Sequence, residues 1–261
     1  METKEFCALV LAAGKGTRMK SEMAKVLHVL CGKPLLHYSL EAARAAGASK
    51  IVVIVGHQSE KVQEAFGGSD LVFVEQKPQL GTGHAVMQAG AVLKDYPGMT
   101  VILCGDVPLL KPETIRSLIE HHLKAQADVT VLTTEPPGPH AYGRIVKNDR
   151  GEVLKIVEHK DATEAQRQIL EINTGIYCVD TQFLFNALSR VKNDNQQKEY
   201  YLTDIVEIAH EDGKKVHACL TEDYYEVMGI NTLEELAKAA ECLGDRRWAI
   251  GNGQWVMGDG R

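Results

Sequence analysis

Residues Phe6 to Ala13 form an unbroken apolar run that ends directly in Gly14-Lys-Gly16. A strand without polar alternation is stable only when both of its faces are covered. Helices on each side of a sheet can supply that cover, in a layered α/β architecture. The next stretches fit that frame. Ile51 to Val55, Leu71 to Glu75, Thr100 to Cys104 and Val129 to Thr133 read as strands. Between them Pro34 to Ala46 (stopped by Gly47), Glu60 to Phe66, His84 to Leu93 and Pro112 to Ala125 read as helices. Strand and helix alternating at this spacing predict a doubly wound, mostly parallel sheet.

After the breaker cluster Glu135-Pro-Pro-Gly-Pro-His140 the rhythm changes. Short strands are expected at 144–147, 153–158 and 171–179, forming a small β-rich lobe beside a cleft. Helices are expected at 181–188, 202–210 and 232–243, the last opened by a cap at Asn231. The expected domain therefore covers 1–243. Residues 244–261 hold five glycines and little periodicity, and read as a poorly ordered tail.

The formal net charge of −6 gives the chain no general attraction to nucleic acid or anionic membrane. A phosphate site must then be a local cluster of basic groups and backbone amides. Six widely spaced cysteines include no C-x-x-C pair, and there is no long apolar span, so a cytoplasmic protein with reduced thiols is expected.

The turn after the first strand is where such a cluster could form. Glycines at 14 and 16 allow backbone amides to approach phosphate oxygens, Arg18 offers a planar fork, and Lys25 a mobile ammonium. It is not a dinucleotide fingerprint, because Met19 stands where a third small residue is required. No Walker A string occurs either.

Leu11-Ala-Ala-Gly-Lys-Gly-Thr-Arg-Met19 and Lys25-Val-Leu-His28 resemble the signature of the sugar-phosphate nucleotidyltransferases. More specifically, they resemble the uridyltransferases acting on N-acetylglucosamine 1-phosphate. Matching segments recur in order: Glu75-Gln76, Leu80 to Ala85, Gly105 to Leu109, Tyr142 to Ile145, Ile156 to Asp161, Glu171 to Gly175, Glu199 to Asp204 and Gly229 to Asn231.

The resemblance implies a Rossmann-like nucleotidyltransferase fold and transfer of a uridylyl group from UTP to N-acetylglucosamine 1-phosphate. The products are pyrophosphate and UDP-N-acetylglucosamine, a cell-envelope precursor. It assigns Leu11, Ala12, Ala13, Gly14, Gln76, Gly81 and Thr82 to the nucleotide, and Gly143, Glu158, Asn173 and Thr174 to the sugar. Arg18 and Lys25 are the implied catalytic cations. Cys104, Gly105, Asp106 and Asn231 complete the substrate contacts, with Asp106 and Asn231 holding Mg²⁺. The chemistry suits the roles: a carboxamide such as Gln76 matches the edge of uracil, and magnesium favours oxygen ligands.

Read alone, each residue has a plainer role. Gln76 is a solvated strand end, Glu158 an ion-pair partner of Lys160 or His159, Asp106 a turn residue and Asn231 a helix cap. Two positions depart from the family pattern: Cys104 stands where some relatives have tyrosine, and Ala24 where proline is common before the lysine. In bifunctional relatives acetyl transfer and trimer contacts belong to a C-terminal β-helix of hexapeptide repeats. No such repeats occur after Leu243, so no acetyltransferase activity and a mainly monomeric protein are expected. The alternatives are another sugar nucleotidyltransferase using glucose 1-phosphate or dTTP, and a non-catalytic nucleotide-sugar sensor.

Overall fold

A computed structural model describes residues 5–248 apart from Ser69 and Pro139. The chain opens with β1 (Phe6–Ala12), two 3₁₀ turns at Thr17–Met19 and Lys25–Leu27, and the small hairpin β2 (Val29–Leu30) and β3 (Lys33–Pro34). Then come α1 (Leu35–Ala46), β4 (Lys50–Val55), α2 (Ser59–Phe66) and β5 (Leu71–Glu75). Next are α3 (Thr82–Gln88), α4 (Gly90–Leu93), β6 (Met99–Cys104), α5 (Pro112–Ala125) and β7 (Val129–Thr134). The second half contains β8 (Arg144–Lys147), β9 (Val153–Val157), α6 (Glu164–Arg167), β10 (Ile172–Asp180), α7 (Thr181–Leu188), α8 (Asp204–Glu211), β11 (Val216–Thr221), α9 (Tyr224–Val227) and α10 (Leu233–Trp248).

The main sheet has the order β11-β7-β10-β6-β1-β4-β5. Pairs β6–β1, β1–β4, β4–β5 and β11–β7 are parallel, whereas β10 runs against both β6 and β7. The β8–β9 hairpin branches from the start of β10 and forms the expected small lobe.

The apolar run of β1 is explained by two cores, one on each face of the sheet. Phe6, Ala8, Val10 and Ala12 pack with Leu36 and Leu40 of α1 and Ile115 and Leu118 of α5. Cys7 and Leu9 pack on the other side with Val86 of α3, Leu184 of α7 and Ile205 of α8. A third cluster, Leu30, Leu35, Leu109, Ile230 and Ala239, docks the start of α10 near the carboxyl end of the sheet.

Several boundaries differ from the sequence expectation. The 84–93 helix is two helices, α3 and α4, with a break at Ala89. Strand β11 is absent from that expectation; its residues are only partly buried at the sheet edge, which weakens the apolar pattern. Helix α10 extends past Leu243 through Gly244 to Trp248, so the expected tail begins inside a helix, and 249–261 lie outside the described residues. Asn231 is not the cap. Thr232 Oγ1 accepts from Glu235 N at 3.1 Å while Glu235 Oε2 accepts from Thr232 N at 3.1 Å, a reciprocal capping box. The Asn231 side chain is therefore available elsewhere. Among the described residues no helix is long and apolar enough to cross a membrane.

Candidate active site

Parallel strands β6, β1, β4 and β5 all end on one side, and the chain reverses its direction of travel across the sheet beside β1. Ligands in open α/β sheets bind at such a switch point, beyond the strand carboxyl ends. A cleft of about 920 Å³ opens there, and Leu11, Ala12, Ala13, Gly14, Lys25, Gln76, Gly81, Thr82, Cys104 and Asp106 all line it. A smaller recess of about 150 Å³ shares Cys104 and Asp106 with the cleft and adds Arg18, Tyr142, Thr174 and Asn231.

At the junction four side chains meet. Lys25 Nζ forms an ion pair with Asp106 Oδ2 and donates to Asn231 Oδ1 at 3.1 Å. Arg18 Nη2 donates to the same Asn231 oxygen at 2.8 Å. The main chain sets this geometry. Ile230 N donates to Asp106 O at 2.9 Å, and Asn231 Nδ2 donates to Gly229 O at 2.9 Å, so Asn231 Oδ1 is left to face the cations. Gly16, at φ +67°, lies against Lys25; a Cβ at 16 would come within 2.6 Å of Lys25 Cβ. The second glycine of the turn is thus required by the close approach of Lys25 as well as by its own backbone.

Asp106 and Asn231 present two oxygen donors to one position, and that position is taken by an ammonium group. A hard divalent cation held by one or two protein oxygens and substrate phosphates fits such a donor pair. Among the described residues no cluster of three or more His, Cys, Asp or Glu side chains offers an alternative metal site.

The 76–83 segment is tightly built. Gln76 is 4% exposed, not solvated, and its Nε2 donates to Gly81 O at 2.9 Å. Gly81, at φ +105°, lies so close to Tyr200 that a Cβ would come within 2.7 Å of its carbonyl oxygen. Its absent side chain makes room for this neighbouring segment. Tyr200 N donates to Leu80 O, Gly83 N to Tyr200 O, and Leu202 N to Thr82 Oγ1.

The four residues expected to meet the sugar gather around the β8–β9 hairpin and the start of β10. Glu158 lies beside Gly143 and accepts from Thr203 Oγ1 at 3.1 Å; burial pushes its carboxyl upward, and the Thr203 hydroxyl works against that. Lys160 instead donates to Gln197, so its ion pair with Glu158 does not form. Asn173 is buried and its Oδ1 accepts from Gly175 N at 2.9 Å. Thr174 lines the recess, but its hydroxyl is bound to Leu132 O and Ile176 N. Gly105 sits under the cleft, its N–H bonded to Leu11 O at 2.9 Å. The Cys104 thiol is pushed up to about 12 by burial and by Asp106, which keeps it neutral beside Gly175.

A family model described as the MobA-like NTP transferase domain matches residues 8–175. The chain belongs to that family. This NTP transferase is 52% identical over 240 residues to the bifunctional protein GlmU of Geotalea daltonii, covering 92% of the chain and 52% of the relative. It is 50% identical over 243 residues to the GlmU of Geobacter metallireducens, covering 93% and 51%. The chain therefore spans about half the length of the curated relatives it matches. The fold is shared with a UDP-glucose pyrophosphorylase solved with UDP-glucose: TM-score 0.75, 18% identity, 93% of this chain and 99% of that one.

Several further residues in and around the candidate site carry no role in the sequence expectation. Tyr142 lines the recess near Asp106, and burial followed by the Asp106 charge pushes its hydroxyl up to about 12. Arg144, 4% exposed, holds the carbonyls of His140 and Tyr142 and so fixes the loop that carries Gly143. Gln79 donates to Ala13 O, and His57 lines the cleft. The Tyr142-Gly-Arg-Ile145 motif is a sequence signal for the first two; Gln79 and His57 carry none.

Proposed function

We propose that this chain transfers a uridylyl group from UTP to N-acetylglucosamine 1-phosphate, giving UDP-N-acetylglucosamine and pyrophosphate. The observation that carries the reading is the meeting of Arg18, Lys25, Asp106 and Asn231 where the cleft adjoins the recess. The half-length relationship to the GlmU proteins supports the same chemistry.

In this reading an ionised oxygen of the sugar phosphate attacks the α-phosphorus of UTP in line. A new O–P bond forms as the bond to the pyrophosphate bridging oxygen breaks, and the electron pair leaves with pyrophosphate. No protein nucleophile is needed, so the chain contributes positioning and neutralisation of charge. Lys25 and Arg18 would turn from Asp106 and Asn231 to the phosphates. Buried Gln76 and the 80–83 loop would hold the base, while Glu158 and Asn173 would receive sugar hydroxyl and amide groups, whose absence leaves them unpaired. Asp106 and Asn231 would hold Mg²⁺, which when bound offsets phosphate charge.

The test is pyrophosphate release with a panel of sugar phosphates and nucleotides. UTP with N-acetylglucosamine 1-phosphate should give the highest kcat/KM. A preference for glucose 1-phosphate or dTTP would reassign the substrates, and binding without turnover would make the chain a sensor.

A further inference from the structure

Lys25 comes directly after a segment, 21–24, that carries no regular structure, yet its ammonium must be placed accurately. That segment is tied to the rest of the chain by its neighbour across the cleft rim. Gln58 Oε1 accepts from Ala24 N at 3.0 Å, Gln58 Nε2 donates to Glu22 O at 3.1 Å, and His57 Nε2 lies 3.0 Å from the same oxygen. Gln58 holds the left-handed backbone conformation, φ +54° and ψ +41°, at the start of α2, but its side chain does not cap that helix. A residue with a side chain adopts this conformation at a cost, and here the amide is turned to the Lys25 segment instead.

We propose that Gln58 is a positioning residue for Lys25: its side-chain amide grips the peptide on either side of Met23 and fixes where Lys25 leaves the backbone. The grip works from one side and Gly16 from the other, since Lys25 Cβ fills the space a side chain at 16 would need. Ala24 has the torsion a proline would impose, with φ −53°. A proline there would supply rigidity through its ring, but it has no N–H for Gln58 and its Cδ would occupy the line of that hydrogen bond. Alanine at 24 and glutamine at 58 are therefore one solution to holding the segment, and proline at 24 with a small residue at 58 is another.

The catalytic part of this inference rests on the proposed uridylyl transfer, so the test has one readout that does not. Hydrogen exchange of the ligand-free protein reads the 21–27 amides directly. Gln58→Ala should speed their exchange about fivefold, the loss of ordinary hydrogen bonds. Its kcat should fall about tenfold or more, as misplacement of a catalytic group does, with KM for the sugar phosphate little changed. Gln58→Glu keeps the acceptor for Ala24 and loses the donor, and should fall between. Ala24→Pro alone should not raise kcat, because it evicts the Gln58 amide. The Gln58→Ala/Ala24→Pro double variant should recover both slow exchange and most of the turnover. Wild-type exchange or wild-type kcat in Gln58→Ala overturns the proposal, and so does a loss of kcat that Ala24→Pro fails to reverse. If the wild-type protein releases no pyrophosphate from any substrate pair, the proposed function fails, and the exchange pattern alone decides whether the grip exists.

Discussion

Arg18 Nη2 and Asn231 Oδ1, 213 residues apart in the chain, lie 2.8 Å apart in the fold. The same oxygen accepts from Lys25 Nζ at 3.1 Å, so one neutral amide gathers both cations next to the Asp106 carboxylate. The positive groups thus rest on the two residues proposed to hold the metal. Triphosphate would draw them away and expose two oxygen ligands as it brings its own.

Removing either cation should therefore impair chemistry more than folding. Arg18→Ala and Lys25→Ala are each expected to lower kcat for pyrophosphate release on the order of 10²-fold, the usual loss for one charged transition-state contact. Steady-state rates, with thermal unfolding as a control, check this. Near-normal turnover in both would remove them from the mechanism.

The metal reading separates from the capping reading by three variants. Asp106→Asn should raise the Mg²⁺ concentration needed for half-maximal rate and lower the rate at saturation. Asn231→Ala should act the same way more weakly, because it supplies a dipole and no charge. Since Thr232 makes the capping box, Thr232→Ala should be the variant that loses about 1 kcal/mol of stability with unchanged metal dependence. A stability loss in Asn231→Ala with wild-type metal dependence would refute the two-ligand site.

The Thr203 hydroxyl opposes the effect of burial on Glu158. Burial raises the Glu158 carboxyl, the Thr203 hydroxyl lowers it, and the Asp161 and Glu199 charges raise it again. Tyr177, Tyr201 and Asp204 also face Glu158. Thr203→Val deletes the one lowering contact, so Glu158 should take up its proton at a higher pH. As pH falls, KM for the sugar phosphate should begin to rise earlier than in wild type, and Thr203→Ser should restore the profile. A KM–pH curve that does not move in Thr203→Val would exclude Glu158 from sugar binding in its ionised form.

Asp204, at the first turn of α8, is raised to about 6 by burial and then by Glu207, Glu158 and Asp161. A carboxyl raised on folding favours the native state below its unfolded value, near 3.8, and that contribution is lost as pH climbs through about 6. Asp204→Asn should then gain stability above pH 6, with Tm up by about 2–4 °C per kcal/mol recovered. The gain should vanish near pH 3.5. Equal Tm for variant and wild type at pH 8 would show that the charge is solvated.

How much of this protein is legible in its residues depends on the range of the interactions involved. The β1 run, the helix stops and the glycine turn are fixed by near neighbours, so their elements and the two-faced sheet can be inferred directly. The resemblance brings in residues whose roles no local pattern carries, such as Gln76 and Glu158. Other features need the assembled fold. β11 sits at an edge, where only Cys219 of its six residues is buried and the apolar signal fades. Asn231 looks like a cap until Thr232 is seen making the box, and its real neighbours come from the other end of the chain. Gln58 grips a loop 34 residues upstream through two amide contacts, and neither partner has any periodicity to betray it. Local patterning thus dictates the layers and the kinds of group on offer. Which of those groups meet is settled by the folded chain, because a hydrogen bond spans about 3 Å and only packing of the three apolar clusters brings distant segments that close.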